Sequence, residues 1–372
     1  MSALKKIPTR QLGANGPHAS AIGLGTMGEH WQDDRTNVLR LMICCAGIGA
    51  FYGKTDENAA YEALTYAADR GMTFWDCADI YGTTEQTLGK WFTETGRRSE
   101  IFLATKFGSR DIEGKYGGGT TPVSVPSYIK IAFKRSLAKL KTDYVDLYYQ
   151  HRVDPNVPIE VVLETLREFV ENGQIKWLGL SECSAETLKR AKAVKGVGEK
   201  VIAAQMEFSP FELSVEKGGF AAEAEKLGVA VVAYSPLGRG LVSGRYRSKA
   251  DFDETDFRRN LPRFSDENFP KNVILADKLK AIADKYNSTP SQVTLAWILA
   301  THATFIPIPG CRSKERVEEN AKGAEIQLAA EDVKAIRDLV EAAEVLGDRY
   351  PEFLLKHVKG DCIPLSEWKG EN

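Results

Sequence analysis

Phe74-Trp75-Asp76-Cys77-Ala78-Asp79-Ile80-Tyr81-Gly82 is a short apolar run that breaks into a polar loop, with a carboxylate and a phenol five positions apart. A strand sends alternate side chains to opposite faces, so Asp76 at its last position can point along a barrel axis while Tyr81 returns over the mouth from the loop. The stretch therefore reads as the active-site edge of a barrel. A strand end with a turn-forming Asp and a packed Tyr would look the same in isolation, so its weight comes from what surrounds it.

Around it the chain alternates strand and helix. Strands are expected at 22–25, in the run ending at Asp76, and at 101–106, 144–151, 175–181, 201–205, 229–234 and 304–308. Thr55 to Asn58 caps a helix whose Tyr61, Leu64 and Ala68 share one face and which Gly71 ends. Further helices are expected over 86–92, 128–140, 160–171, 185–194, 219–227 and 273–286, and Thr289-Pro290 opens another as cap and first-turn proline. Near-continuously apolar strands joined by helices imply a parallel sheet covered on both sides, and eight such units close into a (β/α)8 TIM barrel of the α/β class. Two short runs around Asn15-Gly16 form an N-terminal hairpin that plugs one end, and extra helices follow the last strand. Residues 1–372 are read as one domain.

The composition fits that reading. The 372 residues are 43% hydrophobic and 27% charged with a formal net charge of −2, as expected for a protein with a large core and no nucleic-acid or membrane partner. Six cysteines show no CxxC pair or metal-ligand spacing, and Met-Ser-Ala-Leu-Lys-Lys lacks an apolar leader core, so no metal is expected and the setting is read as reducing and cytoplasmic. Gly23-Leu24-Gly25-Thr26-Met27-Gly28 spells G-x-G-x-x-G, but a dinucleotide fingerprint must open a helix and be followed by an acidic strand end about 20 residues on. Neither condition is met here.

In a barrel of this kind the functional groups collect where strands end. Asp76, Lys106, His151, Ser181, Gln205 and Tyr234 all stand at or just past expected strand ends. Each has a bland reading as a snorkelling lysine, a packed histidine or a strand-end amide, but six in succession are hard to dismiss.

These residues carry a resemblance. Phe74 to Gly82, Ala104-Thr105-Lys106-Phe107-Gly108, Asp146-Leu147-Tyr148-Tyr149-Gln150-His151-Arg152, Tyr234-Ser235-Pro236-Leu237-Gly238-Arg239-Gly240 and Ile306-Pro307-Ile308-Pro309-Gly310 resemble, in order and separation, an aldo-keto reductase of the fungal and plant, pyridoxal-reductase-like branch. The similarity runs from Leu12 to about Leu346. It implies reversible NADPH-dependent reduction of a small-molecule aldehyde or ketone, with Asp76, Tyr81, Lys106 and His151 as the catalytic tetrad. The chemistry agrees with those roles. A carbonyl receiving hydride develops negative charge on oxygen, which Tyr81 would protonate. A phenol titrates near about 10, so a cation, Lys106, is needed beside it, and Asp76 would hold that cation in place. His151 would hydrogen-bond the carbonyl oxygen.

For the coenzyme the resemblance implies Tyr234 stacked on the nicotinamide, Ser181 and Gln205 on its carboxamide, and the turn Ser235, Pro236, Leu237, Gly238 and Arg239 at the pyrophosphate, with Gly25, Thr26 and Asp76 alongside. Arg312, Ser313, Lys314 and Arg316 open a helix, a suitable place for an adenosine 2′-phosphate, with Glu319 and Asn320 toward adenine. Relatives often have Asn after the serine, where this chain has Glu182. Residues 29–50 also depart from the family, an insertion in the first βα loop read as a translated intron or, alternatively, a lid. Two other functions compete: a lyase using Lys106 as a Schiff base, and a coenzyme-binding regulatory subunit with little turnover. Trp91, Phe264, Phe269 and Phe353 line a substrate pocket or pack against helices.

Overall fold

A computed structural model describes residues 4–27, 57–116, 119, 121–254, 256–355, 358 and 360–371; the insertion at 29–50 and the caps at Thr55 and Asp56 lie outside them. The N-terminal hairpin pairs β1 (Thr9–Gln11) with β2 (His18–Ser20) antiparallel. Between the arms, Leu12 is fully buried inside the sheet, and Gly13 takes a left-handed φ of 74° where a Cβ would lie 2.7 Å from the Ile202 carbonyl. The apolar tip thus stoppers the barrel floor.

Eight parallel strands follow: β3 (Leu24–Gly25), β4 (Phe74–Asp76), β5 (Phe102–Phe107), β6 (Val145–Gln150), β7 (Ile175–Ser181), β8 (Val201–Glu207), β9 (Ala230–Tyr234) and β10 (Phe305–Ile308). Each pairs with its neighbour in sequence, and a parallel bridge between Gly25 and Gly310 joins the two ends. At this seam the Gly23 N–H donates to the Pro307 carbonyl at 2.9 Å and the Gly25 N–H to that of Pro309 at 3.1 Å. A Cβ on Gly23 would come within 2.7 Å of Ile308, and one on Gly25 within 2.8 Å of its carbonyl. Gly23 and Gly25, the first two glycines of the G-x-G-x-x-G string, therefore close a barrel by a close strand approach.

Side chains alternate between two cores. Phe74, Ala104, Leu147, Tyr149, Ile202, Val232 and Ile306 fill the interior, while Trp75, Leu103, Tyr148 and Val231 pack outward against helices. Those helices are α1 (Glu57–Asp69), α2 (Thr84–Thr95), α3 (Pro126–Leu140), α4 (Ile159–Glu171), α5 (Ala185–Ala193), the short α6 (Ser214–Lys217), α7 (Phe220–Lys226), α8 (Phe269–Lys285), α9 (Pro290–Thr301) and α10 (Lys314–Gly323). In α4, Val162, Leu163, Leu166 and Phe169 form the buried stripe, each contributing about 1.5–3 kcal/mol on burial. Thr289 and Gln292 form a reciprocal capping box that starts α9 at Pro290. The helix expected from 273 begins earlier, at Phe269, because Pro270 is accommodated in its first turn. Beyond the barrel, α11 (Ala330–Glu341) leads into a C-terminal segment that carries Arg349, Tyr350 and the short α12 (Glu352–Leu355) back across the open face. No helix among the described residues is long and apolar enough to cross a membrane.

Candidate active site

The open face holds one large cleft, into which the strand ends converge. Asp76 closes β4, Lys106 stands one residue before the end of β5, and His151 directly follows β6. The 77–82 loop then brings Tyr81 back above them, its N–H bonded to the Ala78 carbonyl at 3.1 Å. Lys106 is completely buried and its ammonium donates to the Asp76 carboxylate, to the Cys77 carbonyl at 2.8 Å and to the Tyr81 hydroxyl at 3.4 Å. The Gln205 amide donates to the second Asp76 oxygen at 2.7 Å. Burial pushes the Asp76 carboxyl up, and Lys106 and Gln205 oppose that rise. Asp76, Tyr81 and His151 line the cleft whereas Lys106 lies beneath it.

The His151 ring meets that of Tyr81 edge-on, with centroids 5.8 Å apart. Burial first, then the nearby Arg152 and Lys106 charges, depress the imidazole well below its ordinary range, so it is neutral at pH 7. Its Nδ1 is buried without a partner. Arg152 lines the cleft next to it and donates to the His151 carbonyl at 2.7 Å and to the Ser181 hydroxyl at 3.2 Å. Arg152 belongs to the quoted β6 motif, yet its position after a histidine gave no hint of where a long side chain would turn.

Ser181, Gln205, Tyr234, Ser235, Pro236, Leu237 and Arg239 line the middle of the same cleft, and Arg312, Arg316, Glu319 and Asn320 line its far end. Gly25 faces it from the barrel seam. Four expected coenzyme residues do not line it. Thr26 is buried and its hydroxyl donates to the Asp76 carbonyl at 2.7 Å, bracing the strand end. Gly238 is buried in the turn at φ 56°, and Ser313 stands at the N-cap of α10. Lys314 lies over the Tyr66 ring, 5.0 Å from its centroid. The far end is thus guanidinium-rich, with Arg316 tied to Glu319. Trp91, Phe264 and Phe269 are packed in the core, away from the cleft, and Phe353 lies outside the described side chains.

A second cluster was hidden in the sequence. Glu182 adopts a left-handed backbone (φ 52°) and its carboxylate is forked by Arg349 at 2.8 and 2.6 Å. The Tyr234 hydroxyl donates to Glu182 at 2.9 Å and accepts from Arg349 at 3.2 Å. Glu207 receives Arg239 at 2.9 Å and Arg349 at 3.4 Å. Burial pushes the Glu182 carboxyl up, but the charge and hydrogen bonds of Arg349, with the Arg152 charge and the Tyr234 hydroxyl, leave the group below its ordinary range. Glu182 marked itself only as a departure, and Arg349 lies beyond the stretch that carried the resemblance.

The sequence profile of the aldo/keto reductase family matches residues 21–341. The aldo-keto reductase str7 of Strobilurus tenacellus is 44% identical over 92% of this chain and 95% of its own length. The Schizosaccharomyces pombe protein named aldo-keto reductase yakc [NADP(+)] is 42% identical over 93% of this chain and 95% of its own. The crystal structure of the thermostable aldo-keto reductase Tm1743 in complex with the inhibitor epalrestat superposes with a TM-score of 0.68 at 26% identity, covering 90% of this chain and all of that one. The eight-stranded barrel with its hairpin and polar strand ends is therefore that of an oxidoreductase. The chain belongs to the aldo/keto reductase family.

Proposed function

We propose that the protein is an NADPH-dependent carbonyl reductase in which Tyr81 is the general acid. The observation that carries this reading is the Lys106 ammonium, held between the Asp76 carboxylate and the Tyr81 hydroxyl with no exposure to solvent. A positive charge 3.4 Å from a phenol oxygen stabilises the oxyanion left when the phenol gives up its proton. Asp76, braced by Gln205 and the peptide contacts of Thr26, keeps that ammonium aimed. Neutral His151 can share an N–H with the substrate oxygen without competing as an acid.

The donor set fits the coenzyme. Tyr234 offers a ring face, Ser181 and Gln205 polar groups beside it, the 235–240 turn backbone at the middle, and Arg312 and Arg316 cations at the end suited to a 2′-phosphate. Bound NADPH would supply the hydride. The naming of the fission-yeast relative for NADP(+) supports the same choice. A Schiff-base lyase is disfavoured because the Lys106 amine is fully enclosed, shared among three acceptors and absent from the cleft lining.

The test is Tyr81→Phe with an aromatic aldehyde. NADPH oxidation should fall by about 10³-fold or more, about 4 kcal/mol, while NADPH affinity stays within about threefold. Turnover unchanged in the variant would remove Tyr81 as the acid. No turnover in the wild type despite tight NADPH binding would favour the regulatory reading.

A further inference from the structure

Arg152 lines the cleft directly after His151, and among the described residues no carboxylate is in hydrogen-bonding contact with it. Among the described residues, its guanidinium forms no ion pair. Its neighbours differ: Arg239 is paired with Glu207, Arg349 with Glu182 and Glu207, and Arg258 with Asp256. Only Nη1 of Arg152 is engaged, with the His151 carbonyl and the Ser181 hydroxyl. Nε and Nη2 make no hydrogen bond among the described residues, and Arg152 lines the cleft. Glu182 acts on Arg152 electrostatically, but its carboxylate is already forked by Arg349.

The coenzyme does not need this charge. Its phosphates call for cations in the middle and at the far end, where the 235–240 turn, Arg312 and Arg316 stand. Arg152 directly follows His151 instead, and the lining of the cleft also includes the apolar Met27, Ile80, Leu354 and Val358. A guanidinium fork in a cleft with apolar lining residues is the chemistry that reads a carboxylate.

Resting on the carbonyl-reductase reading above, we propose that Arg152 selects carbonyl substrates that carry a carboxylate on an apolar or aromatic frame. Such a substrate would place its carbonyl at Tyr81 and His151 and its anionic group on the free edge of Arg152. A neutral analogue leaves that edge unmatched, so the discrimination falls on binding of the substrate and its transition state alike.

The experiment compares 4-formylbenzoate with 4-methylbenzaldehyde under saturating NADPH, in the wild type and in Arg152→Met and Arg152→Lys. The expected wild-type preference for the acid is at least about tenfold in kcat/KM, carried by KM. Arg152→Met should abolish it and Arg152→Lys restore part of it. Equal use of the two aldehydes by the wild type, or an equal loss on both in Arg152→Met, would overturn the proposal in favour of a coenzyme-binding or structural role. A second readout needs no turnover: titration of the NADP+ complex with 4-methylbenzoate and 4-methylbenzyl alcohol. The acid should bind at least about tenfold tighter, and only where Arg152 is present. If neither aldehyde reacts, the reductase reading fails, and the titration still decides the role of Arg152.

Discussion

Two tyrosines face the cleft beside a cation, and their hydroxyls have opposite surroundings. Tyr81 receives the Lys106 ammonium, and the carboxylate that neutralises this ammonium lies on its far side. Tyr234 also has a cation at hand, Arg349, but its own proton is given to Glu182 at 2.9 Å. Burial and the Glu182 charge hold the Tyr234 hydroxyl well above the ordinary phenol range. On the proposed reading Tyr81 would be the phenol that releases a proton, while Tyr234 would work through its ring face. On that reading the two proposed roles would be separated by the sign of the second neighbour, since burial and a nearby cation are common to both.

The strongest way to break this contrast is to remove the cation on the Tyr234 side. Arg349→Met leaves Glu182 and Glu207, both nearly unexposed, with Arg239 as the remaining paired cation. Unpairing a buried carboxylate costs about 3–5 kcal/mol, so the variant should lose that much stability by urea denaturation. Adding Glu182→Gln should recover part of the loss, because the uncompensated charge is gone. A loss below about 1 kcal/mol would show that the cluster does not depend on Arg349.

How much of this could be read beforehand follows from the range of each interaction. Asp76, Lys106 and His151 were legible because strand direction alone carries a strand's last residues to the open face. The G-x-G-x-x-G string fails as a fingerprint on its context, and the structure gives the physical reason for Gly23 and Gly25: barrel closure at Ile308 and Pro309 demands the same small residues as a tight phosphate turn. Around α10 helix phase decides which residues line the cleft. The N-cap Ser313 and first-turn Lys314 turn away from the cleft that Arg312 and Arg316 line, a choice made by how α10 docks on α1 and α9. The Glu182–Arg349 fork spans 167 positions and joins a strand end to a tail outside any repeated unit, so no local pattern announces it.

A third cluster, behind the Tyr81 loop, sharpens the comparison because its compensation is looser. Asp79 lies 3.5 Å from Arg135, and Glu85 lies 3.8 Å from Lys139. Burial first, then the Glu85 charge, push the Asp79 carboxyl up to about 7 against the pull of Arg135 and Lys139. The native state thus keeps a proton that the unfolded chain has released above about pH 4. Stability from this group is full below that pH and is lost as the pH rises through about 7. Relative to Asp79→Asn, the wild type should lose about 2 kcal/mol between pH 4 and pH 7.5, against about 4 for full linkage over three units. Parallel stability curves for the two proteins would show that Asp79 is ionised throughout.

The smallest effect is the most discriminating. Tyr234→Phe keeps the ring that would stack on the coenzyme and removes only the hydroxyl shared by Glu182 and Arg349. The charge pair survives without it, since the Arg349 fork on Glu182 is made by two other bonds. The expected cost is that of one hydrogen bond to a charged group, about 1.5 kcal/mol in stability, with kcat reduced by less than about tenfold. Set beside Tyr81→Phe, the same deletion of one oxygen should then differ by at least about two orders of magnitude in turnover. Similar losses in the two variants would mean that the second neighbour does not set the role of either phenol, and that Tyr234 has a part in the proton chemistry.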